Sequence, residues 1–481
     1  MVVVGGGITG VTAAYLLKRD GKRVALLEKE RIGSGMTGQT SAHLTFVTDL
    51  RLTELVKRFG DEAARLTWGA GRAAIDFIER ACQEHRIPAG FVRVPNFLCK
   101  PFDGTSEDAN LLADELQAAR EFGVAATPVD SDPISGRAAI AYADQAVFDP
   151  LAYVTSLARE VNGDGSFVCE NTEVTGFEDE PLSVNANDKT VRCDYVVIAT
   201  HVPLMGTAGL IRSTLFQTKL YPYSTYVTGA RATRGSLAPA LFSDLADPYY
   251  YLRLHEDGEG LYAVFGGNDH KTGQESDTEA CYDDLTQMLQ RILPGSVVDR
   301  RWSGQVVETG DGLPYIGETA ERQFAATGFS GTGLSFGTVA GMMAADAASG
   351  RGNPCADLFD PQRKAFPRGA GTVLSENVDF LRYFAEDRLR EGRSDNLDDI
   401  APGDAKVLRV NGEHVACYRA PEGKLHAVSA VCTHMKCLVR WNPAERTWDC
   451  PCHGSRFQID GTVLGGPAEE PLAPLSAVKR A

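Results

Sequence analysis

Val2-Val3-Val4-Gly5-Gly6-Gly7-Ile8-Thr9-Gly10 opens the chain. Three β-branched residues predict a short buried strand, and Val11 to Lys18 reads as a helix that Gly21 ends. Val24-Ala25-Leu26-Leu27-Glu28 is a second strand. Together they form a strand–turn–helix–strand unit with G-x-G-x-x-G in the turn and an acid closing the second strand. Gly5 permits the tight turn, Gly7 lets a pyrophosphate approach the backbone, and Gly10 lets the helix lie close to the strand. The helix N-terminus offers unpaired N–H groups and a positive dipole end to phosphates. Glu28 can accept hydrogen bonds from ribose hydroxyls. The alternative is an ordinary glycine turn in an α/β sheet, but both strands and the acid are in place, so a dinucleotide site is predicted.

Moving outward, Gly69-Ala70-Gly71-Arg72-Ala73-Ala74 fits the same pattern loosely. It lies inside Leu52 to His85, a segment with helical spacing and no preceding strand, and reads as small residues in a helix. No other candidate for a nicotinamide-dinucleotide site appears. Asp194-Tyr195-Val196-Val197-Ile198-Ala199-Thr200 reads as a buried parallel strand of the same sheet. Thr309 to Gly317 precedes a strand from Phe324 to Thr327, then Gly328-Phe329-Ser330-Gly331-Thr332-Gly333 opens a small-residue helix, Leu334 to Ala348. That second helix end can favour negative charge on a reduced ring.

The chain has 481 residues, which suggests about three domains. Apolar residues make up 43% and charged residues 23%, so a disordered or fibrous chain is excluded. A formal charge of −16 argues against nucleic-acid binding, which rests on clustered cations. No membrane span is expected: Gly333 to Ala345 lacks charge but is short and broken by glycine. No signal peptide is visible. Seven cysteines are scattered singly (Cys82, Cys99, Cys169, Cys193, Cys281, Cys355 and Cys417), as in a reducing, cytoplasmic setting.

The first 355 residues resemble the FAD-dependent amine and amino-acid oxidoreductases, the D-amino-acid oxidase and glycine oxidase group. The resemblance implies an α/β FAD-binding Rossmann-like domain of the glutathione-reductase type, with an α+β substrate domain. It implies FAD contacts from Gly5, Gly7, Ile8, Thr9, Gly10, Glu28 and Lys29. The family's loop over the pyrophosphate matches Gly33 to Thr45, which brings in Gly35, Thr37, Gly38, Thr40 and Ser41. Its Asp-x-x-Pro-x-Ile-Gly turn matches Asp311, Pro314, Ile316 and Gly317, and its Gly-Phe-Ser-Gly-x-Gly turn brings Gly331, Thr332, Gly333 and Leu334 to the flavin. Val174 falls where the family touches adenine through its backbone, and Thr200 ends the returning strand. The FAD-binding domain is expected over 1–90, 146–212 and 301–355, and the substrate domain over 91–145 and 213–300. The latter holds Tyr221-Pro222-Tyr223, Tyr249-Tyr250-Tyr251-Leu252-Arg253 and Asn268-Asp269-His270-Lys271. Arg253 can hold a substrate carboxylate, and tyrosines such as Tyr251 can wall the flavin face. His270 is a further candidate. The plain alternative is surface strands with a turn from Gly266 to Gly273. His43 lies in the loop approaching the ring, where some family members attach flavin covalently. A satisfied loop histidine is the alternative.

Four cysteines fall within 21 residues near the C-terminus. Cys432-x-His434 and Cys450-x-x-His453 supply two Cys/His pairs, which a tetrahedral zinc site would also use. Cys437 and Cys452 stand at matching places after each pair. Both halves resemble the small all-β Rieske [2Fe-2S] domain, expected over 401–481. The resemblance implies that Cys432 and Cys450 bind one iron, His434 and His453 the other, and that Cys437 and Cys452 form a disulfide. Neutral imidazoles in place of two thiolates ease reduction: Rieske potentials span roughly −150 to +300 mV, against about −400 mV for plant-type clusters. Segments Val407 to Val410, His414 to Arg419 and Leu425 to Ser429 alternate like strands, and Gly465-Gly466-Pro467 resembles the third cluster loop. Respiratory members usually carry Tyr where Phe457 stands, while Ser455 remains to bond a bridging sulfide. A potential below theirs is therefore expected. Residues 356–400 read as a linker with one helix, Glu376 to Arg390, capped by Ser375.

The expected activity is oxidation of a small amine, amino acid or related C–H donor by FAD. Electrons then leave singly through the cluster to a carrier such as a ferredoxin, a cytochrome or a quinone. The reverse flow, and an electron-transfer protein without its own substrate, are the alternatives. A Rieske oxygenase is rejected, because its iron-bearing catalytic domain follows the cluster, and only 28 residues follow His453.

Overall fold

A computed structural model describes residues 1–105, 110–203, 219–232, 237–363, 383 and 400–475. The opening unit is built as the sequence predicts, with strands Val2–Val4 and Ala25–Leu27 flanking the helix Ile8–Arg19. Val2–Val4 lies between Ala25–Leu27 and Val196–Ile198, parallel to both. Phe167–Cys169 extends one edge, and Gln323–Thr327 and Tyr315–Ala320 extend the other. The small-residue helix Gly333–Ala348 packs on Ile8–Arg19. A Cβ at Gly341 would lie 2.7 Å from that of Thr12, so the two helices approach at a distance only glycine allows. The helical segment predicted from Leu52 to His85 is two helices, Leu52–Phe59 and Asp61–Glu84, parted at Gly60. The second covers the Gly69–Ala74 stretch, so that stretch is helix interior.

A nine-stranded sheet carries the middle of the chain. Its long strands Leu220–Arg231, Leu261–Lys271 and Val297–Thr309 run antiparallel, with Leu220 opposite Thr309. His43–Leu44 joins the far edge beside Ala139–Val147. The turn considered from Gly266 to Gly273 is instead mostly strand: Leu261–Lys271 runs through both glycines at 266 and 267. The reason is packing. The Tyr251 ring lies over Gly266, where a Cβ would meet its Cζ at 2.3 Å.

The C-terminal region holds two small sheets. One orders Ala405–Val410, Glu413–Arg419 and Leu425–Ser429; the other orders Arg440–Asn442, Thr447–Asp449, Arg456–Phe457 and Val463–Gly465. Trp448 and Phe457 are fully buried between them. The helix expected from Glu376 to Arg390, with its cap Ser375, lies outside the described residues apart from Tyr383. No helix among the described residues is long and apolar enough to cross a membrane.

Candidate redox site

The first turn is rigid. A Cβ at Gly10 would fall 1.9 Å from the Gly5 carbonyl oxygen, so helix and turn are in contact. Glu28 accepts from the N–H of Gly6 (2.6 Å) and of Glu30 (2.9 Å), which holds its carboxylate at the mouth of the turn. Thr37 Oγ1 accepts from the Ile8 N–H at 3.0 Å and ties the following loop over the helix end.

A cavity of about 1160 Å³ begins at this turn. Of the predicted FAD contacts, Gly5, Gly7, Ile8, Thr9, Glu28, Lys29, Gly35, Thr37, Thr40, Ser41, Val174, Thr200, Gly331, Thr332, Gly333 and Leu334 line it. Gly10, Gly38 and Asp311 do not. Gly38 packs on the Gly33 carbonyl, where a Cβ would lie 2.4 Å from the oxygen. Asp311 is buried and paired with Arg363, which donates to its two oxygens at 2.7 and 2.8 Å. Its work is to brace the 309–317 turn.

At the cavity's other end, His43, Asp49, Arg51, Trp68, Asn96, Thr225, Tyr249, Tyr251 and Asp269 converge. His43 stands edge-on to Tyr251, ring centroids 5.3 Å apart. Burial, aided by the charge of Arg253, pushes its imidazole down to about 3, so it is neutral at ordinary pH. Asp49 accepts from Tyr249 Oη (3.0 Å) and the Gly331 N–H (2.6 Å). Burial, opposed by a Thr225 hydrogen bond and reinforced by Asp49, lifts the Asp269 carboxyl to about 7. Arg51 faces the cavity, and its Nε makes no hydrogen bond among the described residues.

Two candidates lie elsewhere. Arg253 is turned away from the cavity and donates to the Phe148 carbonyl at 3.2 Å, so it is not placed to hold a substrate carboxylate. Tyr251 and Arg253 are two residues apart and share one face of their strand, but only Tyr251 lines the cavity; the Arg253 guanidinium is buried and bonded to the Phe148 carbonyl. His270 stacks on Tyr226 and bonds its hydroxyl at 3.0 Å, beneath the C-terminal domain rather than in the cavity.

In the C-terminal domain the two motif loops meet. A disulfide joins Cys437 and Cys452. The Cys437, Cys450 and Cys452 sulfurs lie within 4.8 Å of one another, but the disulfide engages two of them, so that trio is not a ligand set. Cys432, Cys450, His434 and His453 remain. A hydrogen bond with Cys450, joined by the N–H groups of His434 and Met435 and the Ser455 hydroxyl, holds the Cys432 thiol down at about 7 against its burial. The bond to Cys432 and burial push Cys450 well up. Burial holds His434 and His453 at about 4, hence neutral as ligation requires. Their rings stand 5.0 Å apart. Two buried sulfurs and two neutral imidazoles are the donor set of a Rieske cluster, and here they fit it.

The cluster loop is seated on the nine-stranded sheet and the loop that follows its strand Leu261–Lys271. His453 is only 9% exposed. A Cβ at Gly273 would lie 2.9 Å from the Cys450 carbonyl carbon and the Pro451 nitrogen. Gln274 donates to the Pro451 carbonyl at 3.1 Å, and Gln305 to the Gly454 carbonyl at 2.8 Å. Beside these, Tyr282 donates to Glu445 (2.6 Å) and Thr278 to Asn442 (2.8 Å). The third cluster loop, from Thr462 through Gly465 and Gly466 to Pro471, forms part of the wall of the same cavity.

A dinucleotide-binding α/β unit whose cavity is walled by a redox-metal β-domain defines a flavin oxidoreductase with its own iron–sulfur domain. Comparison with known proteins agrees: residues 1–347 match the FAD dependent oxidoreductase (DAO) family and residues 392–476 the Rieske [2Fe-2S] domain. The chain belongs to the DAO family of FAD-dependent oxidoreductases, and its cofactors are FAD and a Rieske [2Fe-2S] cluster. It is 30% identical over 480 residues to the putative Rieske 2Fe-2S iron-sulfur protein YhfW of Bacillus subtilis (strain 168), covering 98% of this chain and 92% of that one. The glycine oxidase structure from Geobacillus kaustophilus aligns with a TM-score of 0.63 at 20% identity, over 76% of this chain and 98% of that one. The L-proline dehydrogenase structure from P. horikoshii aligns at 0.60 and 22% identity, over 75% and 96%.

Asp269 lies in a stretch the sequence singles out. Asp49, Arg51 and Gln305 belong to no motif, and only the alternation of Val297–Thr309 hints that Gln305 points inward.

Proposed function

We propose that this oxidoreductase oxidises a small amine, amino acid or related C–H donor and passes the electrons singly to an external carrier such as a ferredoxin, a cytochrome or a quinone. The observation that carries the reading is the single cavity shared by the dinucleotide turn and the third cluster loop, with the His453 loop seated against its wall. When bound, FAD accepts a hydride equivalent and the cluster accepts one electron at a time.

The chain's own residues divide the remaining work. Gly5, Gly7, Ile8, Thr9 and Thr37 would hold the pyrophosphate of FAD, Glu28 its ribose, and Gly331 to Leu334 would lie toward the ring. Arg51, with a guanidinium N–H lacking a hydrogen-bond partner at the cavity wall, is placed to take a substrate carboxylate in the role the sequence assigned to Arg253. Asp269, poised near neutrality, can hold the proton an ammonium substrate must lose before a neutral amine gives up hydride. Tyr249, Tyr251 and Trp68 wall this end against water. Cys432, Cys450, His434 and His453 hold the cluster. We assign the FAD-binding part to 1–90, 146–212 and 301–355, the substrate part to 91–145 and 213–300, and the cluster part to 401–481. The free thiols away from the cluster support a cytoplasmic setting.

Anaerobic mixing of the purified holoprotein with amines and amino acids tests the reading. Flavin bleaching followed by the EPR signal of a reduced cluster supports it. Bleaching by no such compound, with reduction only by a carrier protein, overturns it.

A further inference from the structure

Gln305 joins the cavity wall to the cluster loop. It sits in the strand Val297–Thr309, is 4% exposed and lines the cavity. Its Nε2 donates to Thr272 Oγ1 at 3.1 Å and to the Gly454 carbonyl at 2.8 Å. Thr272 Oγ1 is within 3.0 Å of Ser224 Oγ, so the amide is braced from the neighbouring strand. Gly454 directly follows the cluster ligand His453 in the chain. On the other side of the amide lies the third cluster loop: a Cβ at Gly465 would be 3.8 Å from Gln305 Oε1. The backbone carbonyl of Gln305 accepts from the imidazole of His201, which also lines the cavity.

One residue therefore touches the cavity, the strand pair behind it, and the peptide next to a cluster ligand. A buried amide is costly unless it is hydrogen-bonded, and here its N–H groups tie the Gly454 loop to Thr272 of the strand pair. We propose that Gln305 is the positioning residue for electron exchange between the flavin cavity and the cluster. It holds the Gly454 peptide against the cavity wall and bridges the gap by hydrogen bond. The inference rests on the proposed electron relay.

For each crossing the flavin loses one electron and the cluster iron gains one. A one-electron carrier outside the chain reoxidises the cluster before the second crossing, and the two flavin-derived protons go to solvent. The reverse flow uses the same contact.

The bond ends on a peptide carbonyl, not on a cluster sulfur or an imidazole. Removing it should slow the crossing while leaving the cluster's own properties in place. The test uses the full-length holoprotein, reduced anaerobically with dithionite-free photoreduction of the flavin. Flavin absorbance and freeze-quenched cluster EPR follow the crossing. In Gln305→Leu, which keeps the volume and removes the donor, the crossing should slow roughly tenfold, the equivalent of about 1.4 kcal/mol for a lost hydrogen bond. Its EPR line shape and cluster midpoint potential should match those of the unaltered protein. Tyr282→Phe, which removes a domain contact away from the ligand loop, should cross at the unaltered rate.

An unchanged rate in Gln305→Leu overturns the inference. So does an equal slowing in Tyr282→Phe, which would mean general docking rather than this contact. A shifted potential or line shape in Gln305→Leu also overturns it, by showing a collapsed cluster loop. If the unaltered protein itself never passes an electron between flavin and cluster, the relay fails first, and that outcome is read before any variant.

Discussion

Replacing Gly273 with Ala tests the seat of the cluster loop directly. Gly273 has φ +79°, where an L-residue costs about 1–2 kcal/mol. Its added Cβ would also lie 2.9 Å from the Cys450 carbonyl carbon, 2.9 Å from the Pro451 nitrogen and 3.0 Å from the Asp449 carbonyl oxygen. All three are backbone atoms of the cluster loop, so no rotamer change relieves the overlap. The loop relieves it by withdrawing, which gives up the Gln274–Pro451 and Gln305–Gly454 bonds. At about 0.5–1.5 kcal/mol each, their loss is about 1–3 kcal/mol, or roughly 5- to 150-fold in the seated fraction. Gly258 supplies the control: its φ is +89°, and nothing lies within 4 Å of an added Cβ. Gly258→Ala bears the backbone cost alone. Flavin content, iron content and cluster EPR should be normal in both variants. Limited proteolysis between the domains, and electron exchange between the cofactors, should differ sharply. If Gly273→Ala and Gly258→Ala resist protease equally and exchange electrons equally, the seat is not the working arrangement.

Arg363→Ala leaves Asp311 buried without its partner and should destabilise the flavin part by about 3–5 kcal/mol, read by urea unfolding; the double variant with Asp311→Asn should recover part of it. Asp269 sits near 7 when folded, raised from 3.8 by burial. Its contribution to stability is full below the unfolded value and is lost as pH rises through about 4 to 7. Asp269→Asn should flatten the stability profile in that window and remove an ionisation near 7 from the pH dependence of flavin reduction. Cys437→Ser opens a loop whose ends are 15 residues apart, worth about 3 kcal/mol, and should speed iron loss in a chelator assay. Phe457→Tyr, at a fully buried position, should raise the cluster potential in a redox titration if its hydroxyl reaches a ligand sulfur; an unmoved potential refutes the role given to that position.

Legibility followed the range of the interactions. The dinucleotide turn and the cluster loops were readable because each packs its chemistry into neighbouring residues. Glycine spacing at 5, 7 and 10 and the Cys/His pairs at 432–434 and 450–453 encode local backbone geometry. Residues 266–267 were harder, since a turn and a long strand share that composition; the Tyr251 ring over Gly266 decided it. Arg253 is of the type that suits a substrate ligand, but burial and a bond to the Phe148 carbonyl engage it away from the cavity lining. Asp49 and Arg51, from one stretch, and Asp269, from another more than 200 residues on, meet only at the cavity.

The sequence alone determined that a dinucleotide fold and an iron–sulfur ligand set share this chain, since both are written in short-range spacing. Tertiary structure alone decided that they face one cavity. That outcome depends on the strand Val297–Thr309 presenting Gln305 to a loop almost 150 residues away, through contacts between surfaces that no local pattern records.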